Sequence, residues 1–201
     1  MHYKHRREID RFFELPPDLQ GRLPGCIRSR LGSRSRNVKV RVTYDQKTNE
    51  VLNKIVKARV ADIDLHLPTC PMDCRISINL EMNWDGPVLE LEQLPVQGER
   101  SPDRGKDRLS YKQGHYQVDL TQVTQTGVSS RRSRKSNNRR RRKLTWMQNN
   151  KEHELEIELA SGILIDQGRK AMSGGVHKYP ELVEGFVDNV RALARKAREF
   201  Q

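Results

Sequence analysis

Cysteine, aromatic residues and long apolar runs are all scarce in this sequence of 201 residues. Three cysteines are an odd number and no secretion signal precedes them, so we expect reduced intracellular thiols, not a disulfide framework. Aromatic residues make up 5% and hydrophobic residues 34% of the chain, and no apolar run approaches the length of a membrane span. We therefore expect a single soluble domain over residues 1–201, without membrane contact. Either part of this chain is disordered or much of its charge is held inside a site.

The net charge of +12 is concentrated in one segment. Nine Lys or Arg residues and no acid lie between Arg131 and Lys143, and without them the chain would carry only +3. The polar stretch 126–150 cannot bury enough apolar surface to order itself, so we expect a disordered basic insertion between two strands. A nuclear-localisation or RNA-contact segment and a solvated insertion without a specific role fit it equally well.

The cysteines allow one alternative to ordinary loop or buried thiols. His66, Cys70 and Cys74 have a spacing that could suit zinc, with Cys26 as a distant fourth ligand. Structural zinc sites have tighter paired spacings, so we favour the interpretation without a metal.

Periodicity predicts a chain made mainly of β-strands. Residues that alternate between apolar and polar predict strands at 38–43, 51–60, 75–81, 106–112, 116–123 and 154–159. Apolar residues at 5–15 favour a short helix or turn before Pro16 and Pro17. Helical spacing of apolar residues after Glu181 predicts a helix that packs on the core.

The polar faces of these strands carry charge in rows. The rows are Lys39, Arg41 and Thr43; Arg75, Ser77, Asn79 and Glu81; Lys106, Arg108 and Ser110; Gln117, Asp119 and Thr121; and Glu154, Glu156 and Glu158. Three carboxylates about 7 Å apart on one face repel one another unless cations lie between them. An exposed acidic edge strand is the simpler explanation of the last row alone.

Acidic and basic rows together favour a barrel with its charges inside. We expect an α+β fold, mainly antiparallel β, with a closed or nearly closed β-tunnel and packing helices that include a carboxy-terminal helix. Such an interior can hold a divalent cation on carboxylates beside a polyphosphate on Arg and Lys, as phosphoryl transfer requires. Oxygen-only ligands suit Mg²⁺ or Mn²⁺ better than zinc.

Several strand motifs resemble those of fungal mRNA-capping enzyme β subunits, which are RNA 5′-triphosphatases of the triphosphate tunnel metalloenzyme superfamily. The motifs, in order, are those at 39–47, 75–79, 106–111, 118–121 and 154–158, and the stretch 181–200 resembles the closing helix. The resemblance implies removal of the γ-phosphate from triphosphate-ended RNA, the first step of cap formation.

The resemblance also implies a role for each matching residue. Glu158 would bind the metal directly and Glu156 mainly through water, while Glu154 would support neighbouring basic side chains. Arg41, Lys106 and Arg108 would hold the γ-phosphate, with Lys57 a further member of that group. Glu81 would orient the attacking water, and Asp119 would hold a metal-bound water beside Thr121.

Three features depart from the family pattern. The family takes further metal ligands from a Glu-x-Glu strand near the start of the domain, so we expect an N-terminally truncated chain whose metal is under-coordinated. Glu90 and Glu92 have that spacing at the wrong place in the order, and we interpret them as surface charge. The basic insertion is unusual, and Gln117 stands where the family often has Arg.

The sequence leaves other functions open. A non-catalytic basic RNA-binding module, an inactive fragment, and an inorganic triphosphatase or NTPase of the same superfamily are the alternatives. The expected partners are 5′-triphosphate RNA, the mRNA guanylyltransferase and a second copy in a homodimer, and the expected location is the nucleus.

Overall fold

A computed structural model describes residues 2–31, 38–69, 72–94, 101–125 and 150–197. Its strands are β1 (His2–Glu14), β2 (Lys39–Asp45), β3 (Val51–Leu65), β4 (Cys74–Asn83), β5 (Arg104–Gln113), β6 (Tyr116–Gln125) and β7 (Asn150–Leu159). Its helices are α1 (Pro17–Gln20), α2 (Gly25–Leu31), α3 (Val88–Glu92), α4 (Ser161–Met172) and α5 (Tyr179–Lys196). None of the helices in these ranges is long and apolar enough to cross a membrane.

The strands form one antiparallel sheet in the order β4-β3-β2-β1-β5-β6-β7. This confirms the expected antiparallel β architecture and each of the predicted strands. Edge strands β4 and β7 do not pair within the described chain, yet both line one cavity of about 450 Å³. The sheet is therefore curled into a half-barrel that is open between β4 and β7.

The prediction of a helix or turn at 5–15 was wrong, because this segment is β1, the central strand of the sheet. It pairs with β2 from Glu8 to Glu14 and with β5 from His2 to Asp10. Its outward positions carry Arg and His as well as Ile9, so the alternation is obscured in the sequence. Hydrogen bonds from strands on both sides decide its conformation.

The hydrophobic core lies on the outer face of the sheet. Val40 and Val42 of β2 and Val56 of β3 are fully buried there, and Leu23 and Ile27 pack against them from the helical region. Burying this surface is the main source of stability for this half of the sheet. Since alternate residues of a strand point to opposite faces, the apolar outer face turns the polar rows inward.

The predicted carboxy-terminal helix is confirmed as α5, which packs against the β6–β7 side. The Tyr116 hydroxyl donates to the Leu182 carbonyl oxygen at 3.1 Å, and Gly185 leaves space for that hydroxyl. The sequence did not predict α4. The basic insertion at 126–149 lies outside the described residues, and Asn150 is the first residue of β7.

Candidate functional site

Cross-strand pairing places the predicted polar rows on one face of the curled sheet. Arg108 of β5 lies opposite Thr121 of β6, which lies opposite Glu154 of β7. Towards the other edge of the sheet, Lys57 of β3 lies opposite Glu81 of β4. Directly opposed residues share a face, so these side chains all point to the concave interior.

A buried acid on β1 organises the centre of this interior. Asp10 is only 1% exposed, and its carboxylate lies 2.5 Å from Lys106 Nζ. Thr43 Oγ1 donates to the same carboxylate at 2.7 Å. Asp10 and the neighbouring buried Glu8 were missed because the segment was predicted to be helical. The two acids are two residues apart, between Arg6 and Phe12. Had this segment been predicted as a strand, that spacing would have placed both carboxylates on one face.

Arg108 joins two of the predicted acidic residues. Its guanidinium donates to Asp119 Oδ2 at 2.8 Å and to Glu156 Oε2 at 3.3 Å. Gln117 Nε2 also donates to Asp119, at 3.1 and 3.2 Å to its two oxygens. Asp119 is buried and is therefore held in a fixed orientation by an arginine and an amide.

Two further ion pairs lie on the same face. Glu154 Oε1 is 2.5 Å from Arg104 Nη2, and Lys57 Nζ is 3.1 Å from Glu81 Oε1. The second pair is half exposed at the open side of the half-barrel. The structure thus brings every predicted site residue to one concave surface.

Several donors on this surface have no hydrogen-bond partner among the described residues. They are Arg41 Nε, Arg104 Nε, Arg108 Nε and Thr121 Oγ1, and all are buried atoms. Arg41 makes no ion pair within the described ranges, although it is half-buried. A buried donor without an acceptor is costly, so these groups suit an anion with several acceptor oxygens.

Carboxylates converge at the end of β7. Loss of surrounding water raises the pKa of Glu158, and the charges of Asp119, Glu156 and Glu81 raise this pKa further, against the opposing effect of Arg108. Glu81 belongs to β4, the opposite edge of the sheet, so its influence reflects the curl. Repelling carboxylates of this kind suit a bound cation.

Within the described part of the chain, no group of three His, Cys, Asp or Glu side chains is close enough together to hold a metal ion. The carboxylate oxygens on this surface suit a hard cation such as Mg²⁺, but further ligands are needed to complete its coordination sphere. The zinc alternative gains no support, since Cys26 is exposed and Cys74 is half-buried, while Cys70 lies outside the described residues.

Glu90 and Glu92 lie in α3, away from the concave surface. Glu90 accepts two hydrogen bonds from Arg22 at 2.9 Å, and Glu92 accepts one from the Tyr44 hydroxyl at 3.4 Å. Tyr44 belongs to the outer core, so this pair serves the helical side of the sheet.

These features define a class of protein: an antiparallel half-barrel whose concave face carries opposed acidic and basic side chains. The chain belongs to the family described as "mRNA capping enzyme, beta chain", whose sequence model matches residues 1–199.

The curated relatives and solved structures agree with this assignment. The mRNA-capping enzyme subunit beta of Schizosaccharomyces pombe is 30% identical over 200 residues, covering 96% of this chain and 51% of the relative. That of Yarrowia lipolytica is 35% identical over 91 residues, covering 45% of this chain and 21% of the relative. The chain thus spans about half the length of its S. pombe relative.

Two structures of S. pombe Pct1 RNA triphosphatase share the fold. One is in complex with the Spt5 CTD and has a TM-score of 0.66 at 29% identity, covering 96% of this chain and 58% of that one. The other has a TM-score of 0.64 at 28% identity with the same coverage.

Proposed function

We propose that this chain is the catalytic part of a metal-dependent RNA 5′-triphosphatase, which hydrolyses the bond between the β- and γ-phosphates of nascent mRNA. The observation that carries the proposal is the set of unpartnered buried donors, above all Arg41, on the same concave face as a cluster of repelling carboxylates. The family match and the relatives' descriptions as capping-enzyme β subunits support the same reaction.

The basic residues would bind the terminal phosphate. Arg41 has free hydrogen-bonding capacity, while Lys106 and Arg108 are fixed by Asp10 and Asp119. Cations held rigidly in this way stabilise the charge that develops on the phosphoryl oxygens without first having to reorient. Lys57 lies at the open side and would reach the phosphate from the opposite wall.

The acidic residues fit a divalent cation, Mg²⁺ or Mn²⁺. Glu158 and Glu156 would hold it, and Asp119 would orient one of its waters. When bound, such an ion bridges phosphate oxygens and neutralises part of their charge. The family resemblance implies a Glu-x-Glu strand as the second source of ligands, and β4 and β7 are edge strands of the described sheet with which such a strand would pair.

Glu81 would act on the attacking water. Its carboxylate faces the interior from β4, and Lys57 holds it at 3.1 Å. A carboxylate in that position accepts a hydrogen bond from a water molecule and directs a lone pair towards the phosphorus. The leaving group is the diphosphate end of the RNA, which remains for guanylyl transfer.

Release of labelled γ-phosphate from triphosphate-ended RNA, with magnesium or manganese, tests this proposal. We expect Glu158→Ala to abolish release and Glu152→Ala, six residues away on the same face of β7, to leave it intact. If the wild-type protein releases no phosphate with either metal ion, the proposal fails.

The basic segment 126–150 supports a second candidate, a non-catalytic RNA-binding module. That function predicts RNA affinity that falls steeply with salt and is lost when the segment is deleted. Phosphate release that survives the deletion would favour the triphosphatase. Comparison of RNA, free ATP and tripolyphosphate under magnesium would separate RNA triphosphatase from inorganic triphosphatase or NTPase activity.

The capping role also sets the expected partners. We propose that the protein acts in the nucleus with an mRNA guanylyltransferase, as a homodimer. The S. pombe relative is named as a subunit of the capping enzyme and Pct1 is described with the Spt5 CTD, which supports a place within a transcription-linked assembly. Co-purification with the guanylyltransferase and sedimentation analysis would test the two associations separately.

A further inference from the structure

The two ends of the half-barrel differ in how their basic side chains are neutralised. We call the end at which β4 and β5 begin the Arg75 mouth. There, Arg75 pairs with Asp64 at 2.6 Å, Arg59 with Asp62 at 3.1 Å and Arg104 with Glu154 at 2.5 Å. Lys39, at the same end, pairs with Glu14 at 3.6 Å. These four cations are thus already matched by acids.

We call the end at which β1 begins and β5 ends the Lys4 mouth. Register places Lys4 opposite Ser110 and Arg6 opposite Arg108, so both face the interior with Arg108. Lys112 shares this face, since it lies opposite Gln117, whose amide bonds Asp119.

The cations of the Lys4 mouth are not neutralised in the same way. Lys4 and Lys112 form no ion pair or hydrogen bond with any residue in the described ranges, and both are exposed. Arg6, by contrast, pairs with Glu8 at 3.6 Å, as Lys39 does with Glu14 at the other end. The cross-strand neighbours of the two lysines, Ser110 and Gln117, are uncharged. Glu156 and Glu158 lie in the same cross-strand rows but form no ion pair with either lysine, so among the described residues Lys4 and Lys112 remain unneutralised cations that an anionic chain would complement.

The distance between the site and this mouth exceeds the length of a triphosphate group. Four residues separate Arg108 from Lys112 along β5, which corresponds to about 13 Å in a strand. A substrate whose terminal phosphate lies at Arg108 would therefore meet Lys112 with its phosphodiester backbone. A chain leaving through the Arg75 mouth would instead have to displace acids from arginines that they already neutralise.

We propose that Lys4 and Lys112 bind the phosphodiester backbone of the RNA downstream of its triphosphate, so that the substrate extends through the Lys4 mouth. This inference rests on the proposed function. It assigns these residues to selection of RNA over free nucleotides, because ATP and tripolyphosphate have no phosphodiester to reach them.

The test measures binding by the full chain to a short single-stranded 5′-triphosphate RNA over a series of salt concentrations, and to tripolyphosphate in competition. The variant is Lys4→Gln with Lys112→Gln. Its matched control is Lys170→Gln with Lys178→Gln, which removes the same charge from exposed positions on or beside the terminal helices. The basic insertion has the same sequence in every form, so it does not distinguish the variants from one another.

Loss of two phosphate contacts should flatten the slope of log affinity against log salt by about 1.4 for single-stranded RNA. Tripolyphosphate affinity should stay within about twofold of wild type, and the control pair should change neither quantity. If wild type binds triphosphate-ended RNA and the Lys4/Lys112 variant shows the same slope of log affinity against log salt, this inference is overturned but the proposed function is not. Wild type that does not distinguish triphosphate-ended from unphosphorylated RNA would overturn the proposed function as well.

Discussion

Replacement of Arg41 should weaken ligand binding without weakening the fold, which separates a binding residue from a structural one. Arg41 is half-buried, its Nε is buried, and it has no ion pair within the described ranges. Arg41→Met keeps the apolar stem and removes only the charge. We expect the free energy of unfolding to stay level or rise, because no favourable contact of the charge is lost.

Arg41→Met should, in contrast, strongly weaken the binding of ligand. A charge-assisted hydrogen bond contributes about 1.5–3 kcal/mol, so loss of a two-pronged phosphate contact costs about 3 kcal/mol, or roughly 100-fold in affinity. With tripolyphosphate and magnesium at 100 times the wild-type Kd, wild type should gain about 2.7 kcal/mol of stability. The variant, with a 100-fold weaker Kd, should gain only about 0.4 kcal/mol under the same conditions.

Thermal melting with and without ligand, together with titration calorimetry, measures both quantities. Lys106→Met is the contrasting variant, since it leaves Asp10 buried without its cation and should cost about 3–5 kcal/mol of stability. Arg7→Met is the control, because Arg7 faces outward and is 65% exposed. The reasoning is refuted if Arg41→Met binds tripolyphosphate as wild type does, or if it unfolds as readily as Lys106→Met.

Three further outcomes follow from the same geometry. The pKa of Glu158 is raised, so its ionised form is disfavoured in the folded protein. Thermal melting of Glu158→Gln without metal at neutral pH should therefore show stabilisation by up to about 1 kcal/mol. Titration calorimetry of the same variant should show Mn²⁺ binding weakened at least tenfold. In wild type, the stability contributed by Glu158 is present at low pH and is lost as the pH rises from 4.5 through its raised pKa. Over the same pH range, Mn²⁺ affinity should fall as the pH falls, because the protonated carboxyl does not bind the ion. An Mn²⁺ affinity that does not depend on pH would contradict this. Gly185→Ala should destabilise the protein by about 1–3 kcal/mol, because its Cβ would collide with the Tyr116 hydroxyl, while Gly162→Ala, which meets nothing within 4 Å, should not lower the melting temperature.

Missed elements show where local pattern fails. The alternation of β1 is hidden because its outward face carries Arg7 and Arg11 as well as Ile9, so an apolar count suggested a helix. Arg11 stacks on the Tyr44 ring at 4.8 Å, a contact between strands that no single segment reveals. Helix α4 has partly buried rather than fully buried residues, so its pattern is weak.

The sequence by itself determined which residues share a face, because alternation in a strand and the 3.6-residue repeat of a helix are local properties. From these came the rows at Arg41, Lys106 and Glu158, and the terminal helix α5. Only the tertiary structure decided what those rows do together. Curling of the sheet brings Glu81 of one edge to Glu158 of the other, and the position of β1 places Asp10 against Lys106. Both depend on pairing between strands far apart in the chain, which local periodicity does not encode.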